Sequence, residues 1–111
     1  FGLNLTLQQI EDAQENQVIN GCRILKKTEY ESEKFKGRND FQAVLALELK
    51  KVKSKLFYQA KNLRTVVMLE AEEIARSAFE GTKVENCYFP KLTSVGGLAF
   101  NNCFIKALDE G

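Results

Sequence analysis

The sequence predicts an α/β solenoid, a coil of about four to five units of 21–22 residues in which short strands alternate with short helical or 3-10 turns. Three observations carry this reading. The first is self-similarity: when 41–62, 63–83 and 84–104 are set beneath one another, with one missing residue before Val84, apolar residues share columns. These are Phe41/Leu63/Val84, Val44/Val66/Cys87, Leu45/Val67/Tyr88, Ala46/Met68/Phe89, Leu49/Ala71/Leu92, Val52/Ile74/Val95, Leu56/Ala78/Ala99 and Phe57/Phe79/Phe100. With 44% apolar residues overall, chance fills a column in all three copies about 0.085 of the time, so roughly two columns are expected where eight occur. The second is the phenylalanine interval, from Phe35 to Phe57 to Phe79 to Phe100, in steps of 22, 22 and 21. The third is Pro90 with Gly96 and Gly97, which stand where a continuous helix would have to pass; proline in a helix interior costs about 3 kcal/mol.

The third observation decides the reading of 41–83, whose Leu, Ala, Lys and Glu content favours helix when taken alone. Equivalent copies fold equivalently, so each unit divides into a strand such as Thr65 to Leu69, a second extended piece ending at Ile74, and a helical turn around Ser77 to Glu80. The phenylalanine of that turn is expected to plug the coil interior. Residues 19–40 form a weaker copy in which Ile19, Cys22, Ile24, Leu25, Tyr30 and Phe35 take apolar columns, and charge-rich Lys26 to Lys34 reads as a solvated loop. Stepping back 22 residues from Val44 places Cys22 in its column.

Residues 1–18 read as a degenerate N-terminal or capping unit. Leu3, Leu5 and Leu7 alternate with polar residues as in a half-buried strand, and Gln8 to Gln17 is a helical turn or a loop. Asn4, Leu5 and Thr6 match the N-glycosylation acceptor pattern, a short and weak signal. At the other end Ile105 and Leu108 begin a further unit, so Ala107 to Gly111 either caps the coil or leads into a longer array. The chain is expected to be a single domain, 1–111, and a fragment of a longer array.

At 111 residues, with 28% charged side chains and a net charge of +1, the chain gives no global electrostatic case for nucleic acid or an anionic membrane. No apolar run approaches the roughly 18 residues of a membrane span. Three cysteines, an odd number, argue against a complete disulfide framework. Cys22 and Cys87, with Cys103 aligned to Thr82, read as buried reduced thiols.

The chain has no histidine, which removes serine–histidine, cysteine–histidine and histidine–metal sites. The densest acidic cluster, Glu70, Glu72 and Glu73, could in principle hold a cation or work as an acid/base pair. Glu72 and Glu73 fall in the columns of Lys50 and Lys51, so a surface ladder of opposite charges is favoured, at about 0.2–1 kcal/mol per pair. The same cancellation weakens the basic run Lys50, Lys51, Lys53 and Lys55 as an anion site. Gly96-Gly97 lacks the Lys-Ser/Thr of a phosphate loop and reads as a turn with special backbone angles. No catalytic, cofactor or metal site is predicted, and the chain is read as a non-enzyme.

The expected binding site is the strand face turned away from the core. With Val44, Ala46, Val66 and Met68 inward, alternation sends Leu45, Leu47, Val67, Leu69 and Tyr88 to the outer, concave side as an apolar ladder. The pattern is equally consistent with a partner surface and with a face covered by a loop, by the N-terminal arm or by a second copy of the chain. Self-association through this face or through open repeat ends is a further option.

The run Ile74 to Thr82 and its later twin Leu92 to Cys103 resemble the BspA-like class of leucine-rich repeats, in which an aliphatic residue stands five before an Ala-Phe pair and a Cys three after the Phe. Phe79 and Phe100 have the full pair, Phe57 has Leu56 in place of Ala, and Cys103 alone fills the cysteine position. The Ile-Pro usual in the strand is approached only at Phe89-Pro90. The resemblance covers 19–111. It implies a leucine-rich-repeat coil with a protein or glycan partner, and proteins of the class occur on surfaces of oral and gut bacteria and in protist parasites, linked to adhesion and host-protein binding. The alternative function is an intracellular scaffold, or a regulator of another protein, built on the same repeats.

Overall fold

A computed structural model describes residues 3–101 and the strand Ala107–Asp109. The chain is a β-solenoid of about four turns, and α1, Leu7–Asp12, is the only helix among the described residues. Each coil contributes one strand to a main sheet and most contribute a two-residue strand to a minor one. The main strands are β1 (Gln17–Ile19), β2 (Cys22–Leu25), β3 (Ala43–Ala46), β5 (Thr65–Met68), β7 (Asn86–Tyr88) and β9 (Ala107–Asp109), hydrogen-bonded in that order. The minor sheet is β4 (Lys51–Val52), β6 (Glu73–Ile74) and β8 (Ser94–Val95). From β2 onward all pairing is parallel; β1 alone runs antiparallel, as a hairpin arm against β2.

Register follows the repeat. Val44 pairs with Val66 and Val66 with Cys87, Leu45 with Val67 and Val67 with Tyr88, and Val52 with Ile74 and Ile74 with Val95. The parallel pairing of Cys87 with Leu108 makes Ala107–Asp109 the strand of a further coil. The core holds Phe41, Leu63 and Val84, the inward strand residues Val44, Ala46, Val66 and Met68, and Phe35, Phe57 and Phe79, all fully buried. The rings of Phe35, Phe57, Phe79 and Phe100 stack in sequence, with centroids 5.2, 5.3 and 5.2 Å apart and planes 14°, 6° and 4° from parallel. Beneath them the backbone continues the ladder: the N–H groups of Phe35, Phe57 and Phe79 donate to the carbonyls of Leu56, Ala78 and Ala99.

The turns between the sheets explain why 41–83 is not helical. Two positions per unit hold left-handed backbone. Glu33, Lys55, Ser77 and Leu98 lie two residues before each phenylalanine (φ 63°, 57°, 60° and 61°), and Gly37, Gln59 and Gly81 two residues after (φ 70°, 60° and 78°). A left-handed residue ends a right-handed helix, so helix-forming side chains are wound into a tight turn by the stacking of the coil.

Four sequence expectations are corrected. Leu3, Leu5 and Leu7 do not form a strand: Thr6 caps α1, with its hydroxyl accepting from Gln9 N–H and the Gln9 side chain accepting from Thr6 N–H, and Leu7 is 80% exposed. Cys22 is not in the column of Val44. Arg23 pairs with Val44 and Cys22 with Ala43, because the strands are 21 residues apart there while the turns are 22 apart. Gly96 and Gly97 have no positive φ among the special positions; instead a Cβ at Gly96 would stand 2.7 Å from the backbone nitrogen of Arg76, so close approach of the previous coil requires glycine. Cys87 is half-buried rather than buried, although it does pack on the core. Cys103, read as inward, lies outside the described residues.

Candidate functional site: the outer face of the main sheet

The side chains of the main sheet divide by alternation into two apolar clusters. One is the solenoid core. The other, on the opposite face, comprises Cys22, Ile24, Leu45 and Val67 with Ala13, flanked by half-buried Leu3, Leu5, Ile10, Ile19, Ala43, Leu47, Leu69 and Tyr88. All five side chains predicted for the partner face therefore lie together on it. Leu45, Val67 and Tyr88 form a continuous cross-strand row, and Leu47 and Leu69 extend the ladder past the strand ends by donating to the carbonyls of Leu25 and Ala46, each at 3.1 Å.

Their exposure differs from the expectation of an open ladder. Leu45 is 4% and Val67 2% exposed, whereas Leu47, Leu69 and Tyr88 are half-buried. Apolar residues of the N-terminal segment, Leu3, Leu5, Ile10 and Ala13, complete the cluster, so the arm covers the end of the face nearer β2 and leaves the end toward β7 partly open. Sequence reasoning offers the N-terminal arm as one of three covers without assigning these four residues to the face, and it does not place Ile24 there. The signal that could have found the arm is Thr6-x-x-Gln9, a capping pattern that starts a helix where an alternating strand was read.

Burial governs the chemistry of two titratable groups, Cys22 on this face and Tyr30 in the solenoid core. The Cys22 thiol, fully buried, is pushed up to about 11 by loss of solvent, against a smaller opposing effect of a backbone hydrogen bond with Leu45. The Tyr30 phenol is raised chiefly by burial and further by its hydrogen bond to the Glu15 carboxylate, at 2.9 Å. Glu15 also accepts from Lys26 N–H at 2.6 Å, which pins the chain where the arm leaves the sheet. Both groups are neutral near pH 7.

Arg23, in an apolar column, is satisfied by its surroundings. Its guanidinium lies 4.7 Å from the Phe41 ring centroid and 5.3 Å from that of Phe35, donates to Asn16 Oδ1 at 2.6 Å, and pairs with Asp40 Oδ2 at 2.6 Å. Only its Nε is buried without an acceptor among the described residues. Asp40 is held below its usual range first by Arg38 and also by Arg23. This group closes the N-terminal end of the stack.

Opposite charges pair across coils in two places, Lys51 with Glu73 in the minor sheet at 3.8 Å and Glu70 with Lys91, in the turns that leave the main sheet, at 2.9 Å. Glu72 meets the unit of Lys50 through its backbone N–H, which donates to the Lys50 carbonyl at 2.8 Å. Of the two charge rungs expected, Lys51–Glu73 forms, and no ion pair joins the Glu72 and Lys50 side chains among the described residues. No described helix is long and apolar enough to cross a membrane.

The family model of the BspA type leucine rich repeat region, with six copies, matches residues 25–106. The chain therefore belongs to that family, whose repeats serve as protein-binding modules and are generally non-catalytic. No match was found among curated proteins or among solved structures.

Proposed function

We propose that the chain is a non-catalytic module of a cell-surface or secreted adhesion protein, and that it holds a protein or glycan partner on the outer face of the main sheet. The observation that supports this best is the row Leu45, Val67, Tyr88 with Leu47 and Leu69, an apolar ladder outside the core whose β7 end is left half-exposed. Tyr88 gives that end a flat apolar body with a polar tip, the kind of side chain enriched at interfaces. Glu48, exposed, and the Glu70–Lys91 pair supply a polar rim beside it. The surface and adhesion part of the reading comes from likeness to the family.

The test uses immobilised extracellular-matrix glycoproteins and surface plasmon resonance. Tyr88→Glu and Leu69→Glu are expected to weaken binding at least about tenfold with an unchanged circular dichroism spectrum. Equal binding by wild type and variants would remove the site, and no binding by the wild type would remove the adhesion reading.

A further inference from the structure

We propose that the arm from Leu3 to Ala13 is an intramolecular occupant of the partner face, and that the same face accepts in trans a short amphipathic segment of the arm's own kind, with leucine and isoleucine on its docked side. This deepens the proposed function and rests on it. Cys22, Ile24, Leu45 and Val67 lie outside the solenoid core yet are no more than 4% exposed, and the residues that complete their cluster from the N-terminal side are Leu3, Leu5, Ile10 and Ala13. None of those four belongs to the core cluster that contains the phenylalanine column. The arm can therefore leave without unstacking a coil.

Its hold is thin. The helix is six residues long, has no buried residue and carries Leu7 outward at 80% exposure. A helix so short does not stand alone in water, and it forms only while its face is docked. Two polar ties reach it from the sheet, Asn20 Nδ2 donating to the Asn4 carbonyl at 3.0 Å and Lys26 Nζ donating to the Glu11 carbonyl at 3.1 Å. Past Gln14 the chain is fixed by Glu15 on Lys26 and Tyr30, which sets the hinge. The arm also shows what the face accepts: Leu3 and Leu5 two residues apart and, five residues on, Ile10 in the helix, with Lys26 reaching the backbone carbonyl of Glu11 at the rim. Undocking opens the β2 end of the cluster that also holds Leu45, Val67 and Tyr88, so a partner segment reaches the whole row only by displacing the arm.

Cys22 reports the motion. In the full chain, the iodoacetamide labelling of each cysteine is followed by peptide mass spectrometry, for the wild type and for the Leu5→Glu/Ile10→Glu double variant. Cys22 is expected to react at least about tenfold faster in the variant, with the rate at Cys87 and the circular dichroism spectrum unchanged. A synthetic peptide of residues 1–14 added in trans is expected to restore protection of Cys22 and a scrambled peptide to leave it reactive. Acceleration of Cys22 and Cys87 together would show that the arm is part of the core and overturn the proposal, as would a peptide that protects nothing. Peptide failure beside intact loss of glycoprotein binding in Tyr88→Glu would overturn this inference alone and leave the proposed function standing.

Discussion

The rings of Phe57 and Phe79 lie 5.3 Å apart and within 6° of parallel, while the N–H of Phe57 donates to the carbonyl of Ala78 at 2.8 Å. Neighbouring strands in a sheet are about 4.8 Å apart, so the side-chain stack and the backbone ladder rise together, and one cannot slip a coil without the other. This coupling locks the register of an array in which each unit touches only its neighbours.

Phe57 has a ring on either side, from Phe35 and Phe79, whereas Phe100 packs on Phe79 and Phe89 and is only half-buried. Phe57→Ala is expected to cost about 3–5 kcal/mol in urea denaturation, and Phe100→Ala roughly half that, because an aromatic cavity inside the stack cannot collapse. Equal costs would mean that the stack is not what couples the coils.

Arg23 stands in the column of Val44, so valine there would restore the repeat. Replacement of a buried ionic group by a well-packed apolar one is often neutral or stabilising, while removal of one partner leaves the other uncompensated. Arg23→Val is accordingly expected to unfold within about 1 kcal/mol of the wild type or above it, and Asp40→Ala to lose about 1 kcal/mol, moderated because the Asp40 side chain is 48% exposed. A loss of more than about 3 kcal/mol in Arg23→Val would show that the guanidinium's bonds to Asn16 and Asp40 hold the hairpin arm in place.

The coil was legible because its period is carried by side chains that must be buried: large, apolar phenylalanines at nearly constant spacing. The first unit was misframed because Cys22 resembles the apolar occupants of the Val44 column and Arg23 does not; only the structure shows Phe35 and Phe41 receiving the guanidinium. The composition of the partner face was legible for a similar reason, since strand alternation follows once the inward set is known. Its cover was legible only as one of three options, the N-terminal arm beside a loop or a second copy, because contact between Leu5 and a sheet many residues away leaves no periodic trace. The left-handed turn positions were equally silent, since Glu33, Lys55, Ser77 and Leu98 share no residue type.

Those turns give a third prediction. A left-handed conformation costs a side chain-bearing residue about 1–2 kcal/mol and costs glycine little, although glycine loses more entropy on folding. Lys55→Gly is therefore expected to be neutral or to stabilise by up to about 1 kcal/mol, while Lys55→Val destabilises by about 1–2 kcal/mol, both read from thermal unfolding. Gly81→Ala, at φ 78°, should cost about 1 kcal/mol. A stabilising Lys55→Val would contradict the assigned backbone.

The last prediction concerns alkaline pH. A free cysteine ionises near 8.5 in an unfolded chain, whereas Cys22 in the folded protein is pushed up to about 11 by burial. Below pH 8 the thiol is protonated in both states and contributes no pH dependence. Between about 9 and 11 the unfolded chain has lost the proton and the folded one keeps it, so the folded state binds more protons and stability falls as pH rises. Above about 11 both are ionised and the Cys22 contribution levels off, after a total loss of roughly 3 kcal/mol. Tyr30, also raised by burial, acts in the same direction from about pH 10 upward. Urea midpoints measured from pH 7 to 11 should therefore decline from about pH 9, and Cys22→Ala should flatten the earlier part of the decline while leaving the later part, due to Tyr30, in place. An unchanged profile in Cys22→Ala would mean that the thiol reaches solvent in the native state, and with it that the arm does not seal the face.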